Sequence, residues 1–232
     1  MIEKFGPAST GMGDILLFTS IFKYFPNKLT FQLPKEKEKY SILFQGLANI
    51  EIIEKEKINI LHSIGYGHYA TALLRNFFNH ADILDNRPLV LYTDKESEEW
   101  ADDFLKKIKN PIIICPVASE RTGGWENERS FKKELTLKVI QDCRLNNLTP
   151  ILHLFKNIEE FDCCLKVPHN LNLEKYICLL RKCGRFIGCN TGDMHLAISL
   201  GCLCTVMQPK TTPTFDETQW SYSHPSITYY NF

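Results

Sequence analysis

Residues Arg185 to Met207 read RFIGCNTGDMHLAISLGCLCTVM: a strand, a tight turn of small residues, a helix and a second strand. Phe186 and Ile187 end an apolar run, Gly188 to Gly192 form the turn, and Asp193 to Leu200 carry a helical pattern that stops at Gly201. Leu203 to Met207 is the next strand. Apolar runs and glycine stops in this order specify an α/β unit. A helix starting at Thr191 or Gly192 aims unpaired N–H groups and the positive end of its dipole at the turn, which stabilises a phosphate there. The same residues also serve as an ordinary helix cap, contributing roughly 1 kcal/mol without any ligand. His195 lies early in the helix and can face either the turn or the core.

Working outward, the alternation continues in both directions. Upstream lie the strands Ile112 to Cys115 and Pro150 to Phe155 and a helix at Leu173 to Cys183. The first half opens with a strand at Ile2 to Phe5 and a helix from Asp14 to about Tyr24 that Pro26 ends. It continues with a strand at Leu29 to Leu33, the mixed-charge run Lys35 to Lys39, and a helix at Tyr40 to Leu47. Strands at Ile50 to Ile53, Ile58 to His62 and Pro88 to Tyr92 follow, with an amphipathic helix at Ala70 to Phe78 between them. Lys95 to Lys109 is predicted as a helix with Trp100, Phe104, Leu105 and Ile108 on its apolar side. Asn110 and Pro111 break that pattern, which sets an expected boundary between domains 1–109 and 110–232. Strands alternating with helices favour parallel sheets with helices on both faces. The tail from Pro209 to Phe232 reads as turns and irregular structure with aromatics packed back on a domain.

The 232 residues suffice for one large or two small domains, and 44% hydrophobic with 23% charged residues is ordinary for a globular chain. Lysine plus arginine and aspartate plus glutamate stand at 27 each, so no bulk field draws the chain to nucleic acid or an anionic membrane. Neither a signal peptide nor a stretch of transmembrane length is evident, which places the chain in the cytoplasm. Nine cysteines, all between Cys115 and Cys204 and without paired C-x-x-C spacing, read as reduced buried thiols, with no metal site expected.

Four strand-end loops carry candidate chemistry, because open α/β sheets bind ligands beyond the carboxyl ends of their strands. Thr10 to Asp14 holds Gly11 and Gly13, which let backbone approach a ligand, and Asp14, either an N-cap or a general base. It lacks the third glycine of a dinucleotide fingerprint and the lysine of a P-loop. Ser63 to Tyr69 offers Gly65, Tyr66 and His68 for a hydroxyl-rich ligand, or forms a plain turn. Ser119 to Trp125 supplies Ser119 and Arg121 for a phosphate or ribose clamp, or is a mobile surface loop. The fourth is the Asn190-Thr191-Gly192 turn.

In their order these motifs resemble glycosyltransferase family 9, the ADP-heptose:lipopolysaccharide heptosyltransferases. GMGDILLFTSIFKYFP is similar to the family's N-terminal helix start and INILHSIGYGHYATALLR to its second strand and loop. IIICPVASERTGGW is similar to the strand opening the donor domain, and FIGCNTGDMHLAISLG to the D-T-G-x-x-H-L-A signature. The resemblance implies a GT-B architecture, two Rossmann-like domains facing a cleft, the first holding acceptor and the second nucleotide-sugar. It implies inverting, metal-independent transfer without a cofactor from a nucleotide-diphosphate sugar such as ADP-heptose to a glycan or glycolipid, with peripheral membrane contact at the acceptor. Asp14 would be the base. Gly11, Gly13, Gly65, Tyr66 and His68 would line the acceptor side, and Ser119, Arg121, Glu159, Asn190, Thr191, Gly192 and His195 the donor side. Asn190 replaces the family's usual Asp, Gly123 stands where many members have lysine, and Asp193 adds a negative charge that would repel a nearby diphosphate. Two alternatives stay open: the same chemistry on a protein or modified-nucleobase acceptor, and, motivated by these departures, a nucleotide-sugar-binding scaffold without turnover.

Overall fold

The computed structural model describes residues 4–5, 12–13, 15–16, 19, 29–47, 50–55, 91–118, 124–154, 159–208 and 226–231. They divide into two compact units, the first ending at Tyr92 and the second beginning at Thr93.

In the first unit, β1 (Lys4–Phe5), β2 (Leu29–Pro34) and β3 (Ile50–Lys55) form a parallel sheet in that order, with Phe5 opposite Phe31 and Phe31 opposite Ile52. A 3-10 segment, Lys35–Phe44, joins β2 to β3 where an α-helix was expected from Tyr40, and it buries Ile42, Leu43 and Phe44. Helical backbone at Gly13, Ile15, Leu16 and Thr19 agrees with the expected helix, and Ile15, Leu16 and Thr19 are buried. Leu91 and Tyr92, expected to end a strand, are irregular.

The second unit is a six-stranded, wholly parallel sheet. Its strands are β4 (Pro111–Cys115), β5 (Thr149–Leu152), β6 (Leu165–Lys166), β7 (Arg185–Gly188), β8 (Leu203–Gln208) and β9 (Ile227–Asn231). Their spatial order is β6-β5-β4-β7-β8-β9, so the chain winds outward from β4 in one direction and then from β7 in the other. The winding reverses between β4 and β7, and in doubly wound sheets ligands bind beyond the carboxyl ends of the strands at such a point. Two of the six strands escaped the sequence reading. The pair Leu165–Lys166 is too short to show a period, and Ile227–Asn231 lies in the aromatic tail that was expected to be irregular.

Four α-helices among the described residues complete the unit. They are α1 (Lys95–Leu105), α2 (Lys133–Leu145), α3 (Leu173–Cys183) and α4 (Gly192–Ser199). Ile112, Ile114 and Leu152 of the sheet share a buried cluster with Val139, Ile140 and Cys143 of α2. Each such large apolar side chain stabilises the fold by about 1.5–3 kcal/mol on burial. Asn172 caps α3 by accepting from the Lys175 amide at 2.8 Å, and Gly184 ends the helix at φ 63°, a left-handed conformation that suits glycine. α4 is buried from Asp193 through Ile198, as its mostly apolar sequence requires.

The expected boundary near Lys109 falls instead at Tyr92–Thr93, because α1 packs on α3. Small buried residues, Ser97 and Ala101, let α1 approach closely. Lys175 pairs with Glu96 at 2.7 Å, Lys182 with Asp102 at 2.7 Å, and Arg181 with Glu98. Trp100 and Phe104, read as core-facing, are half-buried and stack on each other at 5.3 Å. The helix also stops at Leu105, short of the expected Lys109.

Candidate functional site

The turn that opened the sequence reading sits at the switch point of the six-stranded sheet. β7 ends at Gly188 beside Cys115 of β4, and the Cys189 amide donates to the Cys115 carbonyl at 3.2 Å. Gly188 is required there, because a Cβ would stand 2.5 Å from the Phe186 ring and 3.0 Å from the Cys115 carbonyl oxygen. Thr191 is the N-cap of α4, yet its side chain makes no capping bond to the helix and its hydroxyl instead donates to the Cys189 carbonyl at 3.4 Å. The first amides of α4 are thus not satisfied by their own cap residue, and the helix dipole adds to their attraction for an anion.

Arg129 supplies a cation at this turn. Its Nη1 donates to the Asn190 carbonyl at 3.3 Å, and Asn127 Oδ1 accepts from both its Nε and its backbone N–H. The loop carrying it is fastened by Ser130, whose hydroxyl donates to the Gly124 carbonyl at 2.7 Å and accepts from the Ala118 amide at 2.8 Å. Nothing in the residue spacing shows that Arg129 returns to the switch point, since the fold of this loop decides it.

His195 turns inward and is only 4% exposed. Burial, with the Arg129 guanidinium nearby, pushes its ring down to about 4, so it is neutral at pH 7. Asp193 also points inward, and its oxygens meet His153 Nδ1 at 3.1 Å and the Cys115 thiol at 3.7 Å. Burial pushes this carboxyl up, but the His153 ring, bonds from His153 and Tyr176, and its own backbone amide more than offset that, leaving it below the usual carboxylate range. The repulsion expected from Asp193 is therefore answered locally. Its carboxylate meets His153, which directly follows β5, two strands across from β7, and whose amide donates to the Ile114 carbonyl at 2.9 Å.

Asn190, Thr191, Gly192 and His195 are thus brought together, with Arg129 added. Glu159 is exposed at the start of a 3-10 turn, Glu159–Phe161, whose Phe161 stacks under Trp125 at 5.9 Å. Gly13 is partly buried in the first unit. Asp14, Gly11, Gly65, Tyr66, His68, Ser119 and Arg121 lie outside the described residues. Cys115, His153 and Tyr176 were not singled out from the sequence, although the first two stand at strand carboxyl ends, where the α/β rule directs attention. All nine cysteines are free, and eight are buried as expected, Cys163 being the exposed one. No helix among the described residues is long and apolar enough to cross a membrane.

No family model matches the chain, and no curated protein does. Solved structures do. An Escherichia coli ADP-heptose lipopolysaccharide heptosyltransferase II is 12% identical, with 99% of this chain and 90% of that one covered and a TM-score of 0.58. A family 9 glycosyltransferase from Veillonella parvula is 13% identical over 99% of this chain and 86% of that one, with a TM-score of 0.61. TibC, an iron-containing dodecameric glycosyltransferase of enterotoxigenic E. coli, is 13% identical over 98% of this chain and 63% of its own, with a TM-score of 0.63. As the motif order implied, this chain has the α/β fold of the heptosyltransferases and of glycosyltransferase family 9.

Proposed function

We propose that the protein is an inverting glycosyltransferase, moving a sugar from a nucleotide-diphosphate donor of the ADP-heptose kind to a hydroxyl of a glycan or glycolipid. The observation that carries this is the start of α4. An N-terminus without a side-chain cap lies at the switch point of a doubly wound sheet with Arg129 beside it, in a fold shared with transferases that use ADP-heptose. In that reading the amides at the start of α4 and the Arg129 guanidinium take up the charge that grows on the departing diphosphate, with no metal ion bridging it. Arg129 takes the part the sequence reading gave to Arg121. Ser119 and Glu159 add hydroxyl and ribose contacts. Asp14 removes the acceptor hydroxyl's proton as that oxygen attacks the anomeric carbon, a step that contributes about 10²–10⁴-fold for a placed base. The enzyme works in the cytoplasm and meets a glycolipid acceptor at the membrane periphery.

Calorimetric titration with ADP, UDP and GDP tests the donor site. ADP is expected to bind in preference to the others, and Arg129→Ala is expected to weaken it by roughly 10–100-fold, the equivalent of a lost charge-assisted hydrogen bond. Added magnesium leaves transfer unchanged. If no nucleoside diphosphate binds, the reading fails. Tight binding without transfer to any acceptor would favour the scaffold alternative that Asn190 motivates.

A further inference from the structure

We propose that Cys115, His153 and Asp193 form a binding site for a divalent transition-metal ion of the zinc class. The site stands independently of the proposed transfer activity. The three residues come from places far apart in the chain: the last residue of β4, the residue just after β5, and the first turn of α4 behind β7. The strand order β5-β4-β7 makes those three carboxyl ends neighbours. One donor atom from each lies within 4.8 Å of the other two. The thiol is 3.7 Å from one Asp193 oxygen, and His153 Nδ1 is 3.1 Å from the other. Donors around a tetrahedral zinc, at about 2.3 Å for sulfur and about 2.0–2.2 Å for nitrogen or oxygen, stand roughly 3.3–3.6 Å apart. The two contacts to Asp193, made by its two different oxygens, are near that spacing, and side-chain rotation closes the remaining separation of up to 4.8 Å among the three donors.

The chemistry of the set is selective. Thiolate with imidazole and carboxylate suits zinc, whereas magnesium and calcium take oxygen ligands almost exclusively. Cys115 is fully buried and Asp193 is 6% exposed, while the His153 side chain is 20% exposed and gives the ion its way in. The Tyr176 hydroxyl, 3.0 Å from the same Nδ1, stands ready as the fourth donor. On binding, the Cys115 S–H bond breaks, the sulfur's electron pair goes to the ion and its proton leaves to water, while His153 shifts to its Nε2–H tautomer so that Nδ1, which had donated to Asp193, offers its lone pair. The two charges of the ion are then balanced by thiolate and carboxylate, with a neutral imidazole. The ion ties β4, β5 and α4 together beneath the turn, and it contacts no substrate.

The test is metal titration of the intact chain after chelator treatment. One equivalent of cobalt(II) is expected to give a thiolate-to-cobalt charge-transfer absorption and tetrahedral visible bands, and zinc to abolish both by displacement. Cys115→Ser should lose the charge-transfer absorption. His153→Ala should weaken cobalt binding by at least the roughly tenfold that even a supporting partner costs when removed. Because Cys115 is buried and its replacement can unfold the chain, the partly exposed His153 carries the test on its own. The exposed Cys163→Ser variant should behave as wild type. No charge-transfer absorption, a Cys115→Ser or His153→Ala protein that binds cobalt as wild type does, or loss of binding in the Cys163→Ser variant instead would each overturn the site. ADP binding measured alongside separates that failure from a failure of the proposed transferase function.

Discussion

Two single residues decide local questions through space rather than sequence. Gly188 ends β7 where a methyl group would overlap the buried Phe186 ring and press on the Cys115 carbonyl. Gly188→Ala is expected to cost about 1–3 kcal/mol of overpacking, read from the urea midpoint. Glu98 is held near pH 2 instead of 4.5, by the Thr93 hydroxyl above all and by Lys182 and Arg181, against a smaller upward push from burial. A carboxylate depressed in the fold stabilises it above the unfolded value and loses that contribution as pH falls through the folded one. The stability of wild type and Glu98→Gln should therefore converge as pH falls from 4.5 towards 2 and differ above that range, as parallel denaturation curves would show.

Elements were more legible than their limits. The helix at Leu173 to Cys183 was read correctly because it has an asparagine cap, an apolar face and a stopping glycine, all local signals. At Gly184 a Cβ would meet nothing nearer than the Arg181 carbonyl at 4.0 Å, so the cost of a side chain is purely conformational. Gly184→Ala should lower stability by roughly 1–2 kcal/mol with an unchanged denaturant slope. The segment Lys35–Phe44 shows the opposite case. Its charged start was read as surface and its apolar end as an α-helix from Tyr40, whereas the whole stretch winds as one 3-10 segment between adjacent parallel strands. α1 was read as a helix of the first domain because Asn110-Pro111 is a strong local break. Its ion pairs to α3 assign it to the second unit, and no local pattern reports such partners.

At the scale of the whole molecule, the described residues proposed for the donor side all belong to the second unit, while Asp14 precedes the end of the first in the chain. If the proposed roles hold, Asp14→Asn should abolish transfer by about 10²–10⁴-fold while ADP affinity in a calorimeter stays as in wild type. A parallel loss of ADP binding would show that Asp14 belongs to the donor site or to the fold instead of acting as base. The sequence by itself determined the alternation of strands and helices and the turn at Asn190 to Gly192, because periodicity and glycine placement act over a few residues. Only the tertiary structure decided that Arg129 returns to that turn, that Asp193 faces inward, and that Cys115 and His153 meet it. Those contacts depend on the order of strands across the sheet, and strand order is set by the packing of distant segments, which leaves no trace in local spacing.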